Sequence, residues 1–279
     1  MKADRVRKVA DLANRRTRER FGRFLIEGPQ SVREAVMWMP GAVRDLYVQA
    51  VDGPDGPRIA GETLTSIVER SQEHRIYVHP ASEAVMRRIS PDCQGIAAVG
   101  DADAVRATAQ GTQLPEKPFV AAFWQVRDPG NAGTVIRAAD AAGCDAVVFV
   151  DDCVDMLNPK VIRATAGSLF HIPVMKMGVD EFFGWAGEKV LRTVAADVYG
   201  TDGREPRELP EALRDQDLAG VGKAVIFGNE ARGLEPGLLG RCDDIVRIPL
   251  YGKAESLNLA TSAAIMLMSM AMSSHIGTM

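Results

Sequence analysis

Several nearly unbroken apolar stretches in the second half of the chain restrict its fold more than any other feature. They are FVAAFWQV (119–126), DAVVFV (145–150), IPVMKM (172–177), RTVAADV (192–198) and KAVIFGN (223–229). A strand with one wet face alternates polar and apolar residues, and these do not. They read as strands buried on both faces, which implies a mostly parallel sheet with helices on each side. The intervening AGTVIRAADAAG (132–143) and NPKVIRATAGSLF (158–170) read as helices, and the charged, proline-containing residues 200–220 as loop and helix.

The first hundred residues alternate on a smaller scale. GRFLIEG, VRDLYVQA, RIYVHP and GIAAVG read as strands, and PQSVREAVMWM, ETLTSIVERSQ and EAVMRRI as helices, which predicts a small α/β domain. Ahead of it, Val6, Val9, Leu12 and Ala13 keep helical spacing, predicting one amphipathic helix from Val6 to about Arg20. Residues 101–118 lose the alternation and end in two prolines, so they are expected to link a domain of residues 1–100 to one of residues 119–279.

Charge separates the two ends. The chain carries a net −4, yet residues 1–23 hold nine Lys/Arg against three acids, a local +6 that leaves −10 on the rest. Such asymmetry reads either as a polyanion contact or as a solvated basic helix face. The four cysteines (Cys93, Cys144, Cys153, Cys242) and four histidines show no metal-ligand spacing, so no metal is expected and the thiols read as reduced. The longest apolar run, Leu257–Met272, is interrupted by Asn258, Thr261, Ser262 and Ser269, poor material for a membrane span. The opening residues are charged rather than apolar, unlike a signal peptide, so a cytoplasmic protein is expected.

Three loops at predicted strand ends are rich in Gly, Asn and charge, where ligands of parallel α/β sheets gather. In VRDPGNAGTVIRAADAAG (126–143), Asn131 is a candidate N-cap, and Arg137 stands in an otherwise small, apolar helix. Arg137 either snorkels to solvent or serves a site. VIFGNEARGLEPG (225–237) places Gly228, Asn229, Glu230 and Arg232 directly off a buried strand. GKAESLNLATSAA (252–264) opens a helix with both Ser256 and Asn258, where a cap alone needs one.

Taken in order, DPGNAGTVIRAADAAG, FGNEARGL and IPLYGKAESLNLATSAA resemble the three motifs of the SpoU (TrmH-like) family of RNA ribose 2′-O-methyltransferases, within the SPOUT superfamily. FLIEGPQSVREAV onward more loosely resembles the ribosomal-protein-like RNA-binding domain that often precedes that catalytic domain. The resemblance implies an α/β-knot catalytic domain, trefoil-knotted with a mostly parallel sheet, an exception to the unknotted rule. It implies transfer of a methyl group from S-adenosylmethionine to a ribose 2′-hydroxyl, in ribosomal RNA rather than transfer RNA, by a homodimer. Cofactor contacts then fall on Gly228, Ile248 and Leu257. Catalysis and substrate positioning fall on Asn131, Arg137, Glu230, Ser256 and Asn258. Arg87, Arg88 and Arg163 are further candidate RNA contacts. The competing readings are a transfer-RNA methyltransferase, a base methyltransferase of the same superfamily, and a non-catalytic RNA-binding protein that keeps the fold.

Overall fold

The computed structural model describes residues 3–53 and 56–275. In chain order its strands are β1 (Arg23–Glu27), β2 (Val43–Gly53), β3 (Gly56–Ile59), β4 (Tyr77–Ala81), β5 (Ile96–Asp101), β6 (Phe119–Trp124), β7 (Ala146–Val150), β8 (Val174–Met177), β9 (Arg192–Ala196), β10 (Arg207–Glu208), β11 (Lys223–Phe227) and β12 (Asp244–Arg247). Its helices are α1 (Ala3–Ala10), α2 (Arg15–Phe21), α3 (Pro29–Trp38), α4 (Glu62–Glu73), α5 (Glu83–Ile89), α6 (Ala102–Gly111), α7 (Pro129–Ala141), α8 (Pro159–Ala164), α9 (Val179–Glu188), α10 (Leu209–Ala212), α11 (Gln216–Ala219), α12 (Pro236–Leu239) and α13 (Leu259–His275).

Contacts divide the chain into two units, residues 1–108 with 155–171, and residues 109–154 with 172–279. In the first, β1, β5, β2 and β3 lie side by side, with β4 also paired to β2. The β2–β4 ladder is parallel, while β1–β5, β5–β2 and β2–β3 are antiparallel.

The single N-terminal helix expected over residues 6–20 is two. α1 ends in a 3-10 turn over Asp11–Ala13, and Asn14, in an extended conformation, caps α2 by accepting from the Arg16 N–H at 3.1 Å. An asparagine side chain competes for backbone donors and so breaks what the apolar spacing would continue. The segment is also more than a basic arm. Val6, Val9 and Leu12 are buried in the unit's core, and Arg18 is 4% exposed, bonded to Asp155 and to the Leu12 and Ala13 carbonyls. Arg163, expected as an RNA contact, is instead held between Glu27 and Asp92, so its charge is spent on the buried Glu27.

Two further expectations change. The proposed linker carries α6, because Ala102–Gly111 is alanine-rich and the prolines that end it come later, at Pro115 and Pro118. The helix expected over 158–170 stops at Ala164, where Ala166 and Gly167 take left-handed backbone angles, φ +51° and +106°. A Cβ at Gly167 would stand 2.3 Å from the Glu34 side chain.

In the second unit, β10, β12, β9, β11, β6, β7 and β8 form a seven-stranded sheet in which every pairing is parallel. Both faces are buried, as the unbroken apolar runs require. Val120, Ala122 and Trp124 join one core with Phe182 of α9 and Leu238 of α12. From the other face, Phe123 stacks on Phe227 with ring centroids 5.2 Å apart and meets Phe149 edge-on at 6.3 Å. The chain moves outward through β7 and β8, then returns across the sheet to β9 and inserts β11 between β9 and β6. The resulting reversal gathers loops above the carboxyl ends of β6, β9, β11 and β12, the position where open parallel sheets bind ligands.

Candidate active site

Each loop is fixed before it meets the others. After β6, Asp128 caps α7, its Oδ1 accepting from the Asn131 N–H at 2.8 Å, with Pro129 in the first turn. Asp128, not Asn131, is therefore the cap, and the Asn131 amide is left for longer-range bonds. After β11, Asn229 and Gly233 exchange two backbone hydrogen bonds, of 3.1 and 2.9 Å, closing a tight turn around Glu230–Arg232. Gly233 sits there at φ +66°, a conformation glycine adopts without steric cost. Ahead of α13, Asn258 supplies the cap expected of Ser256. Its Oδ1 accepts from the Ala260 and Thr261 N–H groups at 2.8 and 3.3 Å.

The three motifs then meet through one chain of side-chain bonds. Asn258 Nδ2 donates to Asn131 Oδ1 at 3.1 Å, and Asn131 Nδ2 donates to Glu230 Oε1 at 3.2 Å. Neither bond joins residues fewer than 99 positions apart. A second clamp holds the end of β6. Gln125, at φ +52°, has its carbonyl bonded by Asn229 Nδ2 at 2.7 Å and its Oε1 by Arg232 Nη2 at 3.0 Å. Sequence reasoning did not find Gln125, although its place at the end of an apolar strand was a usable signal.

These bonds border a cavity of about 560 Å³ whose walls include Gly228, Glu230, Leu234, Ser256, Leu257 and Asn258. A smaller one of about 50 Å³ adjoins it, lined by Ile248, Leu250, Leu257 and Met266, with Leu257, Asp197 and Ser262 common to both. Gly228 is forced by packing. A Cβ there would lie 2.3 Å from the Gly233 carbonyl carbon and 2.6 Å from the Leu234 nitrogen, both backbone.

Of the residues expected at the site, Asn131, Glu230 and Asn258 are bonded together, and Gly228, Ser256 and Leu257 line the same cavity. Ile248 lines the adjoining one. Arg137 stands apart. Six residues beyond Asn131, it lies about 9 Å along α7 and roughly 120° around it. It is exposed, with no hydrogen bond or ion pair among the described residues. The site also contains Asp197, just beyond β9, whose Oδ1 accepts from the Tyr199 and Gly200 N–H groups at 2.9 and 2.8 Å.

Asn258→Ala is expected to cost about 1 kcal/mol of stability, the usual loss of an asparagine cap. It should also free Asn131. Thermal denaturation reads the effect on stability.

The four cysteines are buried and unpaired, and burial pushes the Cys153 and Cys242 thiols up to about 11 and about 12, leaving them unreactive. Among the described residues no cluster of His, Cys, Asp and Glu could hold a metal ion. No helix among them is long and apolar enough to cross a membrane.

Comparison with known proteins matches residues 118–268, more than half the chain, to the SpoU rRNA methylase family. The chain belongs to the SpoU rRNA methylase family. Residues 3–98 match the MRM3-like substrate-binding domain. The chain is 35% identical to the 23S rRNA (guanosine(2553)-2′-O)-methyltransferase RlmP of Bacillus subtilis, over 95% of both chains. It is 26% identical to a 23S rRNA (uridine(2479)-2′-O)-methyltransferase of Streptomyces viridochromogenes, covering 92% of this chain and 85% of that one. The fold of the AdoMet-bound rRNA methyltransferase of Sinorhizobium meliloti superposes with a TM-score of 0.77 at 24% identity, covering 99% of this chain and 96% of that one.

The residues present fit S-adenosylmethionine. The larger cavity falls in the range of small-ligand sites, roughly 300–1,000 Å³. Gly228 exposes backbone at its wall, and Leu257 and Leu234 supply apolar contact. Asp197, a carboxylate with no ion pair among the described residues, suits a cationic ligand.

Proposed function

We propose that this chain methylates a ribose 2′-hydroxyl of 23S ribosomal RNA, using S-adenosylmethionine. The observation that carries the reading is the Glu230–Asn131–Asn258 chain, which joins all three motifs of the family at the rim of one cavity. Membership in the SpoU family and the likeness to two 23S rRNA ribose methyltransferases over nearly the whole chain support the substrate. The likeness to RlmP spans 95% of both chains and so runs through both domains of this one, which favours ribosomal over transfer RNA.

Bound S-adenosylmethionine supplies a methyl group already activated on a sulfonium sulfur. What remains for the protein is to place the 2′-oxygen in line and stabilise the charge it develops. Gly228, Ile248 and Leu257 hold the cofactor, largely by backbone and apolar contact. Asn131, locked between Glu230 and Asn258, presents an amide of fixed orientation at the rim. Ser256, exposed one turn before α13, contacts the RNA backbone. Arg137 binds the adjacent phosphate and stabilises the developing alkoxide. Arginine stays protonated in proteins, so its role is electrostatic rather than that of a base, and the 2′-hydroxyl proton leaves to solvent water as the oxygen–methyl bond forms.

The protein acts as a homodimer through α13. Met266, Leu267 and Met270 face the chain's own core, whereas Ile265 and Met272 are 39% and 56% exposed and, with Met268, form a stripe at helical spacing. α13 packs along α7, the helix that carries Arg137, so a partner seated on this stripe lies beside Arg137. The trefoil knot belongs to the same reading.

The test is methyl transfer from radiolabelled S-adenosylmethionine to unmodified 23S and transfer RNA, followed by digestion to nucleosides. Label in a 2′-O-methyl nucleoside of the 23S RNA is the expected result. Label in a base, or in transfer RNA alone, overturns the assignment.

A further inference from the structure

In the first unit, α1 and α5 cover one face of the sheet only in part. Val6 and Val9 of α1 and Met86 and Ile89 of α5 pack there on Leu25, Tyr47, Ala81 and Ala97. The β2–β4 ladder sets Asp45 opposite Tyr77 and Tyr47 opposite His79, so these four side chains share that face. Where the two strands begin, the cover stops. Tyr77 is 66% exposed, while His79 and Tyr47 are 8% and 2% exposed.

The exposed ring is nevertheless held. Tyr77 lies 4.5 Å from the His79 ring, and His79 stacks on Tyr47 at 4.7 Å. His79 is fixed at both nitrogens, Nε2 lying 2.9 Å from the Asp45 carboxylate and Nδ1 3.5 Å from Arg5 Nη1. Three rings therefore form a ladder rooted in the core and ending in water. Asp45, the carboxylate beside it, is engaged by His79.

The rim is basic. α1 exposes Arg5, Arg7 and Lys8, and α5, packed beside it, ends in Arg87 and Arg88. Arg7 is tied to Asp4 and Arg87 to Glu83. Arg5, Lys8 and Arg88 have no carboxylate partner among the described residues. An exposed, pre-oriented aromatic ring bordered by cations that no carboxylate neutralises is what a single-stranded nucleic acid needs: a π-face for a base and charge for the phosphates beside it.

We propose that Tyr77 is a stacking platform for an unpaired base of the RNA substrate, with Arg5, Lys8 and Arg88 against the flanking phosphates. This rests on the reading of the substrate as 23S RNA. It adds where that RNA is held and in what form, since a base inside a duplex cannot reach the ring. Stacking accepts any base, so the platform supplies affinity and leaves the choice of nucleotide to the methylation site.

The experiment uses full-length protein and an unmodified 23S transcript, measuring both methyl-transfer kinetics and direct binding by filter retention. Tyr77→Ala should raise the KM for RNA and weaken binding by roughly 5- to 150-fold, the range of alanine substitutions at base-stacking aromatics. Its kcat and cofactor affinity should match those of the unsubstituted protein. Tyr77→Phe keeps the ring and should stay within about 2-fold. The salt dependence of binding separates the two contacts. Tyr77→Ala should leave its slope unchanged, and Arg5→Gln should reduce it by about 0.7–1. If the unsubstituted protein binds and methylates the transcript while Tyr77→Ala keeps its affinity, the platform is wrong and the substrate reading stands. If Tyr77→Phe fails as badly as Tyr77→Ala, the contact is through the hydroxyl and stacking is wrong. If the transcript binds without being methylated, Tyr77→Ala in filter retention still decides the platform while the substrate reading fails. If the transcript neither binds nor is methylated, both fall, and a protein partner for this surface takes their place.

Discussion

Arg137→Ala should reduce methyl transfer by about 10²- to 10³-fold, the usual cost of removing one donor aimed at a developing oxyanion. Cofactor affinity and thermal stability should be unchanged. The separation follows from its position: the side chain is exposed, lines neither cavity, and makes no hydrogen bond or ion pair among the described residues. Its removal thus leaves the fold and the cofactor pocket without a lost partner. Arg137→Lys should recover only part of the rate, because an ammonium cannot reproduce the planar fork that grips a phosphate at two points. Single-turnover kinetics with 23S RNA, beside calorimetric titration with S-adenosylmethionine, reads both quantities. A matched loss of cofactor affinity would place Arg137 in the cofactor pocket instead and contradict the role given to it.

Gly228→Ala should act on the opposite half of the problem. The added methyl meets two backbone atoms of the Gly233–Leu234 turn, which cannot rotate away as a side chain would. The turn must shift, and with it the closure that positions Glu230. Forced overpacking of this kind costs about 3 kcal/mol. About half should appear as a lower Tm, and the remainder as cofactor binding weakened by about 10-fold. Calorimetry and titration measure the two. Undiminished cofactor affinity in this variant would mean that the larger cavity is not the cofactor's site. The two variants together locate Arg137. In the proposed homodimer, mixing Arg137→Ala and Gly228→Ala subunits leaves one pocket with its glycine while its neighbour keeps its arginine. Recovery of methyl transfer in the mixture means that Arg137 serves the partner's site, and no recovery means that it serves its own.

The seven parallel strands of the second unit were largely legible, because burial on both faces leaves a local trace: a run of apolar residues with no polar alternation. The short strands β10 and β12 were missed, since two and four residues carry too little pattern. α6 was missed for a different reason. Its buried stripe of Ala102, Val105 and Ala109 keeps helical spacing but consists mostly of small residues, and the nearby prolines point to the wrong end. At the N-terminus the spacing of Val6, Val9 and Leu12 was read correctly as helical, but the break at Asn14 depends on a side chain capping its own backbone.

The residues of the site were all on the page as sequence, and three of the loops could be named from their composition. The sequence alone determined the chemistry available: amides, a carboxylate, a guanidinium and glycines at strand ends, in the order of one family. Their division of labour was not determined there. That Asp128 caps α7 leaves the Asn131 amide for other loops, whereas Asn258 caps α13 with its Oδ1 and reaches Asn131 with its Nδ2. Capping is local, and several residues in each loop are chemically able to do it. Bonds spanning 99 and 127 positions of chain are not local, and only the order of strands in the sheet brings those residues together. Tertiary structure also gave Arg163 to Glu27 and Asp92, while leaving Tyr77 uncovered. Burial decides whether a charge or a ring is spent on the fold or kept for a ligand, and burial is a property of the folded chain.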